Sequence, residues 1–230
     1  KTDIEIEALK ELENLVEKNL TNGQQPSPIE LACLASYKAL HEYSWAHSLS
    51  MAVELESLQR RQIVEPGEEK KLRSRIPMLQ EITDNVSCKV REQYEHNPYP
   101  RWVNVGLPLA PKSISTVIKD SKLRITNICI NEVSTPQILI AGCGTGQHSI
   151  GSASRFNGCD VLAIDLSLSS LAYAKRKTEE LGFSNIEYMQ ADILDIGALN
   201  RKFDIIESGG VLHHMGDPMA GWKILADCLN

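Results

Sequence analysis

Three glycines stand at alternate positions in Ile140-Ala141-Gly142-Cys143-Gly144-Thr145-Gly146-Gln147, between an apolar run and a helical stretch. Gly142, Gly144 and Gly146 let the backbone turn tightly and approach a ligand without Cβ contacts. The helix that follows presents unpaired N–H groups to an anionic group. A dinucleotide fingerprint, G-x-G-x-x-G, needs glycine where Gln147 stands, so the spacing here is a different one. Asp165 follows 23 residues after Gly142, at the end of a second apolar run. An acid about 20 residues past such a turn accepts both hydroxyls of a ribose. Ser167 is placed to cap the next helix, so Asp165 is not needed for that. Asp192 follows a third run, where a carboxylate can accept from the exocyclic amine of a purine. The bland alternatives are a glycine turn that binds nothing and a solvated loop acid. The order and spacing of all three favour a nucleoside-type ligand.

The elements that must position these residues alternate from about residue 136. Gln137–Ala141, Asp160–Ile164, Ile186–Met189 and Phe203–Glu207 are short apolar runs, with helical stretches near 147–156, 168–182 and 218–229. Strands buried on both faces and joined by helices imply an α/β fold, a Rossmann-like, doubly wound parallel sheet.

The half before it reads as helical. Ile4, Leu9, Leu12, Leu15, Val16 and Leu20 recur at helical spacing over 3–20, and Asn22-Gly23 is a stop signal. Ser27-Pro28-Ile29-Glu30 has the form of a capping box with proline in the first turn. A helix from Pro28 fits Leu31, Leu34, Ala35, Leu40 and Tyr43, with a second stretch from Trp45 to Gln62. Pro66-Gly67 is the next punctuation, and a helix over about 68–96 is expected to bend or break near Pro77. Four prolines and a glycine make 97–111 irregular and extended. The expected division is a helical region 1–96, a Pro-rich linker or lid 97–135, and a sheet domain 136–230.

Composition narrows the function. The chain has 230 residues, 42% hydrophobic and 23% charged, as expected of a globular protein. Its net charge of −6 (24 bases, 30 acids) disfavours general nucleic-acid binding. Lys175-Arg176-Lys177 reads as a solvated helix face. No apolar run approaches the ~18–20 residues needed to span a bilayer, and no leader is visible, so no membrane partner is expected. Six scattered cysteines without a CxxC pair argue against zinc and disulfides, and for reduced thiols in the cytoplasm. No metal site is expected.

The ordered set Ile138-Leu139-Ile140-Ala141-Gly142-Cys143-Gly144-Thr145-Gly146, Val161-Leu162-Ala163-Ile164-Asp165, Ala191-Asp192, Phe203-Asp204-Ile205-Ile206 and Val211-Leu212-His213-His214 resembles class I S-adenosylmethionine-dependent methyltransferases, over about 136–229. With Gln93-Tyr94-Glu95-His96-Asn97-Pro98-Tyr99-Pro100-Arg101-Trp102 upstream, the chain is similar to bacterial methyltransferases linked to tetratricopeptide repeats. The resemblance implies S-adenosylmethionine as cofactor. Ala141, Gly142, Cys143, Gly144 and Gly146 would line its methionine portion. Asp165 would hold the ribose hydroxyls and Leu166 flank the adenine. Asp192 and Ile193 would read the adenine edge, and Glu207, Ser208 and Gly209 would lie beside the sulfonium. It also implies seven strands, so a sheet of about four is expected to be C-terminally truncated, its fourth strand an open edge. A helical-repeat partner or an additional domain outside the chain is a further expectation.

The reaction so implied is in-line displacement at a methyl carbon, in which the protein mainly holds the reacting groups in line. A base helps only a nucleophile that arrives protonated. His213 and His214 are candidates, and adjacency in an extended segment would turn only one toward substrate. Tyr94, Tyr99, Arg101 and Trp102 either close over the ligand as a lid or dock the helical region on the sheet. The acceptor, a small molecule or a protein, is not identified, nor is a catalytic residue. Two rival functions are a catalytically inactive cofactor-binding or interaction module of the same fold, and a nicotinamide-dependent oxidoreductase. Gln147 and Asp192 argue against the second.

Overall fold

The computed structural model describes residues 2–50, 52–108, 110–125 and 127–230. The chain divides into two compact units between Lys70 and Lys71. The helix expected to end the first region therefore groups with the sheet, and the sequence-based boundary near residue 96 is displaced to residue 70.

In the first unit, α1 (Asp3–Thr21) starts in a capping box of Thr2 and Glu5. α2 (Pro28–Ala35) starts in the expected box of Ser27 and Glu30. The long helix expected beyond it does not form. After Ala35 the chain makes single 3-10 turns at Leu40–Glu42, Ala46–Ser48 and Val53–Leu55. Gln62 bridges these pieces, accepting from Leu40 N at 3.0 Å and donating to the Ala35 carbonyl at 3.2 Å. The apolar residues at near-helical spacing converge all the same. Val16, Leu31, Leu34, Leu40, Tyr43 and Trp45 form one core, with the Tyr43 and Trp45 rings stacked at 4.6 Å. α3 (Glu56–Gln59) runs through a π-turn at Arg60–Val64 into α4 (Glu65–Arg73). Pro66-Gly67 is therefore not a break. The wider turn before it accommodates a proline that has no N–H to give.

In the second unit α4 ends at Arg73 in a turn, Arg75 N donating to the Leu72 carbonyl at 2.9 Å and Ile76 N to the Arg73 carbonyl at 3.3 Å. The helix therefore stops short of Pro77 and does not run on to residue 96, and Pro77–Leu79 lies along the sheet edge, exchanging hydrogen bonds with Gln190 (2.8 and 2.9 Å). α5 (Asn85–His96) is capped by Asp84, and α6 (Ile114–Asp120) by Ser113. The sheet follows as β1 (Gln137–Ala141), α7 (Gln147–Arg155), β2 (Asp160–Asp165), α8 (Leu168–Glu180), β3 (Ile186–Gln190), β4 (Ile205–Glu207) and α9 (Pro218–Asp227).

Among the described residues the sheet has four strands, all parallel, in the order β3-β2-β1-β4. Alternation along β1 divides the core. Ile138 and Ile140 pack with Ala153 of α7 and Leu171 of α8, whereas Leu139 and Ala141 pack with Ile196, Phe203 and Leu225 of α9. Both faces are covered, which is why the strands read as unbroken apolar runs. The chain leaves β1 toward β2 and returns on its other side as β4. In such sheets the crevice at the carboxyl ends of the strands, where the order reverses, receives ligands.

The basic run departs from expectation. Arg176 and Lys177 are buried; Arg176 lies over the Tyr173 ring at 5.0 Å and Lys177 over Trp102 at 5.0 Å, and both pair with Glu180. Their long stems pack against aromatics while the charges are neutralised locally. No helix is long and apolar enough to cross a membrane among the described residues.

Candidate functional site

A cavity of about 570 Å³ opens at the carboxyl ends of the strands. The glycine loop forms its floor. Gly142 N and Cys143 N both donate to the Ile164 carbonyl at 2.9 Å, which folds the loop over β2. Gly142 takes φ +77, and a Cβ there would meet Val211 Cγ2 at 2.2 Å, so only glycine fits between the loops after β1 and β4.

Asp165 ties the loop down. Its Oδ2 accepts from Gly144 N at 2.8 Å and its Oδ1 from Ser167 N at 2.9 Å. Burial pushes its carboxyl above the ordinary range, against the pull of these N–H bonds. Ser167 caps α8, as the sequence indicates. Asp192 is buried and caps the turn Ile193–Leu199, its Oδ1 accepting from Leu194 N at 3.0 Å. Each oxygen so used keeps a second lone pair, so both acids can still receive a ligand donor.

The aromatic-proline segment is latched to the glycine loop. The Thr145 hydroxyl donates to the Pro100 carbonyl, Trp102 Nε1 donates to the Thr145 carbonyl at 3.0 Å, and the Tyr173 hydroxyl donates to the Trp102 carbonyl. Trp102 is buried against Ile150 and Tyr173 and fixes the segment. Tyr99 is 74% exposed and lines the cavity, so the one segment divides into an anchor and a cover. α5 is held similarly. Glu95 accepts from the Ser167 hydroxyl at 3.0 Å and from Ser169 N at 3.1 Å, with Arg73 at 3.5 Å. Burial would raise its carboxyl, but these bonds and the Arg73 charge hold it below the usual value. The neighbouring Tyr94 is thereby set into the cavity wall.

Of the residues singled out in the sequence, Tyr94, Tyr99, Gly142, Cys143, Gly144, Asp165, Leu166, Asp192, Ile193, Gly209 and His214 line this cavity. Six do not. Ala141 is fully buried in the sheet. Gly146, at φ +85, serves helix packing: a Cβ would sit 2.6 Å from Ala174 Cβ. Arg101 lies over the Tyr173 ring at 4.7 Å. Glu207 and Ser208 fall on opposite sides of an extended segment, Glu207 toward α7 and Ser208 toward a groove with Leu212, Trp222 and Leu225. His213 and His214 belong to a 3-10 turn, Leu212–His214, with rings 4.0 Å apart, and His214 alone of the two reaches the cavity.

Sequence reading passed over His148, Gly151 and Arg155 and used Gln147 only against a dinucleotide loop, yet all four bring α7 to the wall. The 147, 151, 155 spacing of one helical face was the available signal. Burial raises the Cys143 thiol well above the ordinary value, which disfavours the thiolate that a nucleophile needs. The six cysteines are all free, and among the described residues no group of three or more His, Cys, Asp and Glu is placed to hold a metal.

The chain is 36% identical over 99 residues to an uncharacterised protein of Synechococcus sp., covering 43% of this chain and 24% of that one. It is 40% identical over 72 residues to the malonyl-[acyl-carrier protein] O-methyltransferase of Enterobacter lignolyticus, covering 31% and 26%. The matched stretches span about a quarter of these curated relatives. Among solved structures it is similar to magnesium protoporphyrin IX methyltransferase from Synechocystis with bound SAM, at 21% identity and TM-score 0.46, covering 66% and 75% of the two chains. Over residues 138–230, which hold the sheet, the glycine loop and both acids, the chain matches the family model described as a methyltransferase domain.

Proposed function

We propose that the cavity binds S-adenosylmethionine and that the protein transfers its methyl group to an acceptor. The observation that carries this reading is convergence: the glycine loop, Asp165 and Asp192, from three separate strand ends, line one cavity. The residues fit such a group. The volume suits a ligand of this size. The backbone at Gly144 offers no side chain against it, and the carboxylates of half-buried Asp165 and buried Asp192 face where a sugar diol and an amine would lie. When bound, the cofactor supplies an electrophilic methyl on a positively charged sulfur.

The chain's own residues then bind, orient and enclose. Asp165 would hold the ribose hydroxyls with the lone pairs its two N–H donors leave. Asp192 would accept from the adenine amine. Leu166 and Ile193 give the apolar flanks that a base prefers. Gly209 and Gly210 keep the exit from β4 open beside the glycine loop. Tyr94, Tyr99 and Pro100 cover the crevice and limit water, and the latch at Trp102 fixes their place. Fixing reactants in one geometry is the main catalytic resource for a displacement of this type.

Calorimetric titration with S-adenosylhomocysteine tests the reading. Saturable one-to-one binding, unaffected by NADH, is the expected result. NADH binding without competition from S-adenosylhomocysteine would instead restore the oxidoreductase.

A further inference from the structure

His148, in the first turn of α7, lines the cavity. Its Nε2 lies 2.7 Å from Oε2 of Glu207, at the end of β4. That carboxylate is itself secured. The Ser152 hydroxyl donates to Oε2, and the Arg155 guanidinium lies 3.4 Å from Oε1. Burial would raise Glu207, but the bonds from His148 and Ser152 and the Arg155 charge hold its carboxyl below the usual range. An ionised carboxylate only accepts, so the contact places the imidazole proton on Nε2. In the neutral ring the lone pair is then on Nδ1. This edge faces residue 209: a Cβ there would lie 3.7 Å from both Nδ1 and Cε1, and Gly209, which lines the same cavity, has none.

We propose that His148, oriented by Glu207, is the general base of the site, and that the acceptor is one whose reacting oxygen or nitrogen carries a proton. This rests on the methyl-transfer reading above. The acceptor's O–H or N–H bond breaks, its electron pair stays on the heteroatom, and the proton bonds to Nδ1. The imidazolium so formed is stabilised by Glu207 until the Nδ1 proton passes to water. A carboxylate acceptor, already ionised, needs no such base. Among the described residues, Tyr94, Tyr99 and His214 at the cavity have no comparable carboxylate partner, whereas His148 has both a partner and an open edge.

The test combines nitrogen NMR with turnover on the whole chain. Long-range proton–nitrogen spectra, with His148→Gln for assignment, are expected to show Nε2 protonated and Nδ1 bare in the neutral ring. Glu207→Gln should mix the two tautomers, which loss of packing alone would not do. Labelled methyl transfer is measured with 4-methylphenol, N-acetyl-lysine amide and acetate as acceptors. His148→Gln is expected to bind S-adenosylhomocysteine as the unsubstituted chain does while losing about 100-fold in transfer to the phenol or amine. A proton found on Nδ1, or transfer unchanged in His148→Gln, overturns the proposal, and where no probe is methylated the tautomer decides. Failure of the unsubstituted chain to bind S-adenosylhomocysteine overturns the underlying function instead.

Discussion

Asp165→Ala is expected to weaken S-adenosylhomocysteine binding by about 100-fold. Two hydroxyl donors to one carboxylate, at about 1.5 kcal/mol each, give about 3 kcal/mol, and 1.4 kcal/mol is tenfold. The same substitution takes the acceptor from Gly144 N and Ser167 N. Leaving those donors unpaired costs about 1–3 kcal/mol of stability each unless water reaches them. Part of that is returned, because burial already disfavours the ionised Asp165 carboxylate. The affinity loss should therefore exceed what the change in folding stability explains. Calorimetric titration beside a denaturant melt of the same variant separates the two. Affinity within threefold of the unsubstituted chain would remove Asp165 from the ligand site.

Gly146→Ala is expected to be among the most destabilising single-methyl changes in the second unit, although it adds nothing to the cavity. The residue is at φ +85, and the new Cβ would lie 2.6 Å from Ala174 Cβ, 3.0 Å from Ala174 Cα and 3.0 Å from Tyr188 Oη. The left-handed conformation costs a non-glycine residue about 1–2 kcal/mol, and overpacking about 1–3 kcal/mol. The backbone of α8 cannot yield as a side-chain tip would, so α7 must shift. A loss of about 2–5 kcal/mol is expected in urea unfolding. Gly151→Ala is the internal control. It lies in the same helix with nothing within 4 Å of its added Cβ, and should raise stability by about 0.5–1 kcal/mol. Equal losses in both variants would contradict a packing role specific to Gly146.

The sheet was legible because its strands are buried on both faces. Runs such as Ile138-Leu139-Ile140 can be little else between turn signals, and the glycines and Ser167 mark where helices begin. Strand ends carry the binding chemistry in this architecture, so Asp165 and Asp192 could be placed as soon as β2 and β3 were. Helical periodicity was less reliable between 36 and 64. There Leu40, Tyr43 and Trp45 reach one core through successive 3-10 turns, held by tertiary bonds such as that from Leu40 N to Gln62, which no local pattern encodes. Residue 66 misled for the opposite reason, since a π-turn absorbs its proline. At the site, Glu207 was recognisable as a carboxylate at a strand end, but its direction was not. Only the juxtaposition of α7 and β4, 59 residues apart in sequence, turns it to His148. Long-range pairing of polar side chains leaves no periodic trace, which is why the dyad emerges from the structure alone.

The most direct measurement of the central claim is a crystal structure of the chain soaked with S-adenosylhomocysteine. The expected density lies in the cavity above the glycine loop, with the ribose diol on Asp165 and the adenine amine on Asp192. A crevice that stays closed over by Tyr99 and Tyr94 at saturating ligand, or a ligand bound with neither acid in contact, would contradict it.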